Sequence, residues 1–308
     1  MLVATPSTVE RTTVDVLRLL LPHRRHSPGD DAPAPEAFGP QLAQLAAFVR
    51  TGEPILFTLP GFPCKSPNPA KVLGPLPDEG ERLSLRFLDE LCSVIEAVYP
   101  PGARMLICSD GHIFGDHVGV ADATIDAYGT ELRAMIRREH RTRLTTFDLG
   151  DVLGELGYDE KRRRVHEEFA PAVDDLRAMV RREENVARLY RGITRFLVED
   201  TAGHTGTKSA LQRECRRRAY GVIQRSIAWS GLIATQFPRS VRLSIHPQPA
   251  GSAKFGIRLL DIEDQWTTPW HSCVLRRADG TPVLLPHHRA RALGTLVRRD
   301  GRPSHYVG

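Results

Sequence analysis

Apolar residues recur along this chain in two rhythms, and the switches between them predict most of its elements. Val9 to Leu21 is apolar at helical spacing and stops at Pro22. Gln41 to Arg50 places Leu42, Leu45, Ala46 and Val49 on one face, with Gly52 as a terminator. Between them, residues 22–36 hold Pro, Gly, Asp, His and Arg with little apolar content and read as a mobile linker. Ile55-Leu-Phe-Thr-Leu59 reads as a buried strand. Asp78 followed by Glu81 has the spacing of a capping box, and Leu83, Phe87, Leu88, Leu91, Ile95 and Val98 continue that helix to Pro100. Arg104-Met-Leu-Ile-Cys108 is a second strand. Strand, helix and strand in succession imply parallel pairing, because parallel strands need a crossover. Thr124 to Arg138 predicts another helix, and residues 155–236 a mostly helical middle rich in arginine. The last third returns to strands at 241–246, about 254–260, 272–276 and 282–285, with Asp279-Gly280 as a hairpin turn between the final two.

One stretch belongs to neither rhythm. Leu59-Pro-Gly-Phe-Pro-Cys-Lys-Ser-Pro-Asn-Pro-Ala-Lys-Val-Leu-Gly74 leaves the first strand, and five prolines from Pro60 to Pro75 exclude helix and central strand there. The result is a stiff loop carrying Lys65, Ser66, Asn68 and Lys71 at a strand end, where α/β proteins place chemistry. The competing reading is a surface loop with solvated lysines. Lysine usage weighs against it. Of 42 basic residues only five are lysines, Lys65, Lys71, Lys161, Lys208 and Lys254. A lysine that persists among so many arginines marks a place where an amine is needed, since Arg neither loses its proton nor forms an imine. Lys161, in Lys161-Arg-Arg-Arg164, reads as solvated.

Composition changes this picture little. At 308 residues, with 41% hydrophobic and 26% charged residues, the chain suits a globular protein with a sizeable core. The net charge of +5 permits nucleic acid but equally suits anionic small substrates. Cys64, Cys92, Cys108, Cys215 and Cys273 form no CxxC pair, so neither a disulfide framework nor a cysteine zinc site is indicated. No apolar run approaches the roughly 18 residues of a membrane span. The N-terminus lacks a signal-peptide pattern, and a reducing cytoplasm is the expected location. Dinucleotide, Walker, zincin and serine-hydrolase motifs are absent from the sequence, so no nucleotide cofactor is called for, and without metal-ligand spacing no metal is expected.

Further candidates for chemistry follow the strands. Ser109-Asp-Gly-His-Ile-Phe-Gly-Asp-His117 leaves the second strand with Asp110, His112 and Asp116, groups able to act as acid, base or ligand. An Asx turn that caps the strand is the bland alternative. Val241-Arg-Leu-Ser-Ile-His246 alternates, so Arg242, Ser244 and His246 share one face, which suits an anion or an ordinary edge strand. Ser252 and Lys254 follow, and Trp266-Thr-Thr-Pro-Trp-His271 brings two indoles and His271 into one loop. Arg225 lies at helical spacing from Arg217 and reads either as part of a solvated face or as a substrate contact.

Taken together, several of these segments resemble the pyoverdine/dityrosine biosynthesis family, the isonitrile synthases. Besides the proline loop, the segments are Leu76-Pro-Asp78, Tyr99-Pro-Pro-Gly-Ala103 and Ser109-Asp-Gly111 through Asp116. Further along come Phe196-Leu-Val-Glu-Asp200, Val222-Ile-Gln-Arg-Ser226, Val241-Arg-Leu-Ser-Ile-His-Pro247 and Thr268-Pro-Trp-His271. They keep the family's order across residues 52–290. The resemblance implies an α/β fold, a Rossmann-like mixed sheet flanked by helices with a helical middle segment and without a bound dinucleotide. Residues 1–36 would be an N-terminal helix and mobile linker, and 37–308 a single domain. It also implies a reaction in which an amino acid, L-tyrosine or L-tryptophan, condenses with ribulose 5-phosphate, whose ketone carbon becomes the isonitrile carbon. No other cofactor, metal or redox, is implied by the resemblance.

On that basis Lys65 is the first choice for the acid/base lysine, and Ser66, Asn68 and Lys71 orient the sugar phosphate. Asp110, His112 and Asp116 transfer protons or bind the amine. Arg225 contacts substrate, Arg242, His246, Ser252 and Lys254 hold phosphate or carboxylate, and Trp270 and His271 close the amino-acid pocket. A downstream iron/2-oxoglutarate oxygenase is the expected pathway partner, with no nucleic acid or membrane partner. Two other classes stand beside this one. A sugar-phosphate phosphatase or isomerase would use Asp110, and a basic nucleic-acid-binding protein would use the arginine runs.

Overall fold

A computed structural model describes residues 7–25, 33–201, 204–262 and 267–308. The first segment gives α1 (Thr8–Leu20), α2 (Gly39–Thr51), β1 (Ile55–Pro60), α3 (Glu79–Val98) and β2 (Ala103–Cys108). Next come α4 (Gly111–Val118), α5 (Asp122–Arg138), β3 (Leu144–Phe147) and α6 (Leu149–Leu153). The helical middle is α7 (Tyr158–Phe169), α8 (Val173–Arg182), α9 (Glu184–Asp200) and α10 (Lys208–Gln236). The last third is β4 (Val241–Ser244), β5 (Phe255–Gly256), β6 (Cys273–Arg276), β7 (Pro282–Leu285), α11 (His287–Leu293), β8 (Thr295–Arg299) and β9 (Arg302–Val307). Of these strands, β3, β8 and β9 were not expected from the sequence, and β3, Leu-Thr-Thr-Phe, offers only four residues and no long apolar run.

The central sheet has the order β3-β2-β1-β4-β5, and every pair in it is parallel. Among these strands, antiparallel pairs occur in a second sheet of order β7-β6-β9-β8, whose β6–β7 hairpin turns at Asp279-Gly280. The central strands are buried on both faces, and the period of two sorts their residues. Ile55, Phe57, Leu59, Met105 and Ile107 pack with α1, α2, α3 and α5, whereas Leu106, Cys108 and Phe147 pack with α7 and α10. Each fully buried Leu or Phe contributes roughly 1.5–3 kcal/mol through area removed from water.

Helix α1 is part of this core, since Val16, Leu17 and Leu20 are buried in the same cluster as β1. The segment expected as a linker begins and ends structured. Arg24 and Arg25 are buried, and Arg25 donates to the carbonyls of Ile245 and Thr267. Residues 26–32 of that segment lie outside the described residues. A second reading is corrected here. Lys161 and Arg162 are not solvated, because Arg162 is clamped by Asp122 and Asp159 and Lys161 lies over the Tyr158 ring. Arg163 and Arg164 are exposed and pair with Glu160, as an amphipathic helix predicts. No helix among the described residues is long and apolar enough to cross a membrane.

The strand order places the site. Successive crossovers run outward from β1 to β3, then return to the opposite side of β1 at β4. The chain therefore leaves β1 and β4 in opposite directions and opens a crevice at their C-terminal ends. The proline loop leaves β1 there, and residues 245–254 leave β4 there.

Candidate active site

A cavity of about 570 Å³ occupies that crevice. Its wall draws on the proline loop, Asp110 and Phe114 after β2, Phe196 and Asp200 on α9, Val222 on α10, Ile245 and His246 after β4, and Trp270 and His271 before β6. The loop is held from several sides. Phe62 sits in the left-handed region at φ 56° and packs on Trp270 at 5.1 Å. A Cβ on Gly111 would stand 2.2 Å from the Pro63 carbonyl, so Ser109-Asp-Gly111 lets the loop lie against the start of α4. At the start of α11, the His287 and His288 amides donate to the Lys71 and Ala70 carbonyls.

The two lysines of the loop have opposite fates. Lys65 is sealed, with its side chain 0% exposed. Its ammonium donates to Asp78 Oδ2 at 2.8 Å, Glu81 Oε2 at 2.8 Å and the Pro269 carbonyl at 3.0 Å. All three of its donors are used. The capping box of α3 is thus also the socket of Lys65, for Asp78 and Glu81 cap the helix and hold the lysine with the same carboxylates. Burial disfavours the charge on Lys65, but the two carboxylates outweigh burial and raise its pKa. With two acids and one base in the socket, burial and the Glu81 charge push Asp78 upward. What Lys65 contributes to the cavity wall is its backbone.

Lys71 stands at the wall itself. It pairs with Glu199 at 2.9 Å and Asp200 at 2.8 Å, and lies 5.1 Å from the centre of the Phe196 ring. Ser66 Oγ donates to the same Asp200 Oδ1 at 2.9 Å, and Asn68 Nδ2 donates to the Glu199 carbonyl. Burial raises Asp200, against the pull of Lys71 and Ser66. Asp110 caps no helix N–H with its side chain, and burial pushes it up to about 7. Between the two acids, burial and the charges of Asp110 and Asp200 push the Cys64 thiol up to about 12. Trp270 is a core wall rather than a lid, at 1% exposure. His271 bonds Thr268 Oγ1 at 2.8 Å and meets Phe196 edge-on. Burial, then Lys71, holds His271 well below the usual imidazole range, so it is neutral. Trp266 lies outside the described residues.

A second cavity, of about 1010 Å³, meets the first at Ile193, Ser226 and His246. Its polar lining is Asn185, Arg188, Ser230, Ser244, Gln248 and Lys254. Lys254 has no carboxylate paired to it among the described residues. Burial, then the charge of Arg242, lowers it to about 8. Arg242 supports the wall by donating to the Ser230 carbonyl at 3.0 Å and to Ser230 Oγ. Burial, with Arg25 and Lys254 nearby, lowers His246 to about 4 and leaves it neutral at pH 7.

Four candidates stand away from both cavities. His112 is fixed between Asp122 and Asp126, each at 3.1 Å, and stacks on Tyr158 at 3.7 Å. Asp116 and Arg225 pair with each other at 3.4 Å across a separate arginine-rich cleft. Ser252 bonds Gln248 and accepts Gln41 at its carbonyl, which ties α2 to the loop after β4. Helix geometry separates the candidates of Ser109–His117. The segment reads as a loop of clustered polar groups, but α4 begins at Gly111 and turns His112 and Asp116 away from Asp110.

The chain matches the family model for pyoverdine/dityrosine biosynthesis proteins over residues 45–296. The L-tyrosine isonitrile synthase of Pseudomonas aeruginosa is 46% identical, with 94% of this chain and 92% of that one aligned. The L-tyrosine isonitrile synthase of Xenorhabdus nematophila is 42% identical over 97% and 92% of the two chains. An L-tryptophan isonitrile synthase of Fischerella ambigua is 39% identical over 95% and 90%. The crystal structure of the PvcA protein from Pseudomonas aeruginosa superposes with a TM-score of 0.91 at 44% identity, covering 96% of this chain and 99% of that one. The chain belongs to the pyoverdine/dityrosine biosynthesis family. With these relatives, it is an enzyme of the isonitrile-synthase type.

Within the family frame, three cavity features were not singled out from the sequence. Asp200 and Glu199 close the segment Phe196-Leu-Val-Glu-Asp200, and the pair of acids at a helix end was the available signal. His287 braces the proline loop through Nδ1 to the Pro69 carbonyl at 2.7 Å. Arg25 fixes the segment after β4 from a stretch that carries no motif. Among the described residues no group of three or more His, Cys, Asp or Glu side chains is placed to hold a metal ion.

Proposed function

We propose that this enzyme converts the amino group of L-tyrosine or L-tryptophan to an isonitrile with ribulose 5-phosphate as carbon donor. The observation that carries the reading is the junction of two unlike cavities at Ile193, Ser226 and His246. The first, walled by Phe114, Ile193, Phe196, Val222 and Trp270, suits an aromatic side chain. The second, with Lys254, Arg188 and Asn185, suits a phosphate ester, because an amine without a carboxylate partner beside a guanidinium favours an incoming dianion. An amino acid and a phosphorylated ketose held in the two would meet near the neutral imidazole of His246.

The amine then condenses with the ketone to an imine. Proton transfers and fragmentation leave the former ketone carbon on nitrogen, and phosphate is released. Lys65 holds the loop in shape, and Lys71, Ser66 and Asp200 face the reacting groups. That the relatives are L-tyrosine and L-tryptophan isonitrile synthases supports an aromatic substrate. Five free, buried cysteines fit a reducing cytoplasm. An oxidative decarboxylase of the iron/2-oxoglutarate class is the chemistry expected to consume the product, which retains its carboxylate.

Ribulose 5-phosphate labelled with carbon-13 at its ketone carbon tests the reaction. The label is expected in the isonitrile, with one inorganic phosphate released per turnover. Absence of label from every amino-acid-derived product, across a full amino-acid panel, overturns the reading.

A further inference from the structure

The two cavities share three lining residues, Ile193 of α9, Ser226 of α10 and His246 after β4. Ile193 brings only hydrocarbon, His246 is neutral at pH 7, and Ser226 brings a hydroxyl. Residues four apart on a helix share a face, about 6 Å apart along its axis. Val222, Ser226 and Ser230 form such a row on α10. Val222 lines the first cavity, Ser226 lines both, and Ser230 lines the second. The row therefore runs from one cavity into the other, with Ser226 at the crossing. The two residues before it turn elsewhere. Gln224 donates to the Pro171 carbonyl at 2.8 Å, and Arg225 pairs with Asp116 at the separate arginine-rich cleft.

The Ser226 hydroxyl has bonding capacity to spare. Among the hydroxyls that line the cavities, Ser66 donates to Asp200, Thr268 bonds His271, Ser230 accepts from Arg242 and Ser244 accepts the His246 amide. Ser226 makes no side-chain hydrogen bond among the described residues, and it is exposed rather than buried. A helical hydroxyl can return its proton to the carbonyl four residues back, as Thr194 does to Tyr190 and Thr235 to Gly231. Ser226 does not, so its donor is open to a molecule that spans the crossing.

We propose that Ser226 is a catalytic residue of this enzyme, its hydroxyl donating to the ketone oxygen of the phosphorylated ketose while the amino-acid nitrogen adds to the ketone carbon. The proposal rests on the reading of the two cavities as amino-acid and sugar-phosphate sites, since the reacting carbon then lies where they meet. In the addition, the lone pair of the free amine forms the C–N bond and the carbonyl pair moves to oxygen. Charge grows on that oxygen, so a donor already in place holds it more tightly in the transition state than in the ground state. One amine proton then passes to the oxygen and gives the carbinolamine. The second leaves with the hydroxyl as water while the C=N bond forms. The ketone oxygen and two nitrogen protons thus depart as one water, and Ser226 keeps its own proton throughout.

The test compares Ser226→Val and Ser226→Thr in the full chain, because these side chains match in shape and differ in the hydroxyl. Ser226→Ala removes the hydroxyl without adding bulk. Each variant is assayed with an aromatic amino acid and ribulose 5-phosphate labelled at its ketone carbon, and the affinity of each substrate alone is measured by calorimetry. Ser226→Val and Ser226→Ala are expected to lower kcat by about 10- to 100-fold, the worth of one hydrogen bond to a growing charge. Both substrates are expected to bind them as they bind wild type, and Ser226→Thr to recover most of the rate. The carbon-13 isotope effect at the ketone carbon is expected to grow in Ser226→Ala, because the slowed step is the addition. A normal kcat in Ser226→Ala overturns the proposal. So does a Ser226→Thr rate no better than that of Ser226→Val, or a loss that weaker substrate binding accounts for in full, since either assigns Ser226 to packing. Wild type that forms no labelled product overturns the reading of the cavities, and the proposal with it.

Discussion

Lys65 and Lys71 leave the same strand on the same proline loop, and each is held by two carboxylates, yet they do different things. The Lys65 socket is closed. Its two acids belong to the capping box of α3, Tyr128 donates to Glu81, and the Pro269 carbonyl takes the third proton. The loop, α3 and the segment before β6 are thereby locked together at one point. The Lys71 socket is open. Lys71 is 13% exposed at the cavity wall, and Asp200 keeps one oxygen unmet. A lysine spared among many arginines therefore marks a need for an ammonium of small cross-section, and that need is packing for Lys65 and, in the function proposed above, chemistry for Lys71. A guanidinium fork fits neither a closed socket for a point charge nor a shared carboxylate beside an aromatic ring.

The largest effect that would break this comparison concerns stability. Lys65→Met leaves two buried carboxylates without their cation and is expected to cost about 3–5 kcal/mol in urea unfolding. Lys71→Met is expected to cost about 1–2 kcal/mol, since Asp200 can take up a proton and keep Ser66. Lys65→Arg retains the charge but is expected to lose stability as well as turnover. Equal losses at positions 65 and 71 would remove the distinction.

Kinetics should reverse the order. Lys71→Met is expected to lower kcat/KM by about 10- to 100-fold in protein that is still fully folded, the worth of a hydrogen bond to a charged group. A normal rate in that variant would return Lys71 to the status of a surface ion pair.

Acidity extends the comparison to the two cavities. Burial lifts the Asp110 carboxyl to about 7, so any step that needs its carboxylate is expected to speed up as pH climbs through that range. With Lys254 as the proposed phosphate-binding cation, binding of the phosphate ester is expected to fade above about 8. The profile of kcat/KM is expected to be bell-shaped between these limbs. Lys254→Arg should carry its alkaline limb upward, because the guanidinium keeps its proton. An alkaline limb that stays in place would show that another group sets it.

The smallest effect is expected at Asp116. Asp116→Asn touches an exposed pair remote from both cavities and should change stability by about 0.5 kcal/mol or less, with turnover unaltered. A large kinetic loss there would connect the arginine-rich cleft to the reaction.

Local pattern carried much of the architecture. The apolar runs at 55–59 and 104–108, the Asp78–Glu81 cap and the Asp279-Gly280 turn became β1, β2, the start of α3 and the β6–β7 hairpin, because hydrophobic period, capping and turn chemistry act over a few residues. The ordered motifs likewise determined the family, and with it the class of enzyme. Which groups meet in the cavity was decided by tertiary structure. Asp110 and Asp200 lie far apart in the chain, and the fold brings them, from the end of β2 and the end of α9, into the lining of one cavity. His112 and Asp116 are neighbours of Asp110 in sequence, but α4 rotates them away, since a helix disperses adjacent side chains around its axis. Whether a lysine is sealed or presented depends on the carboxylates that long-range packing delivers to it, and no local spacing specifies that delivery.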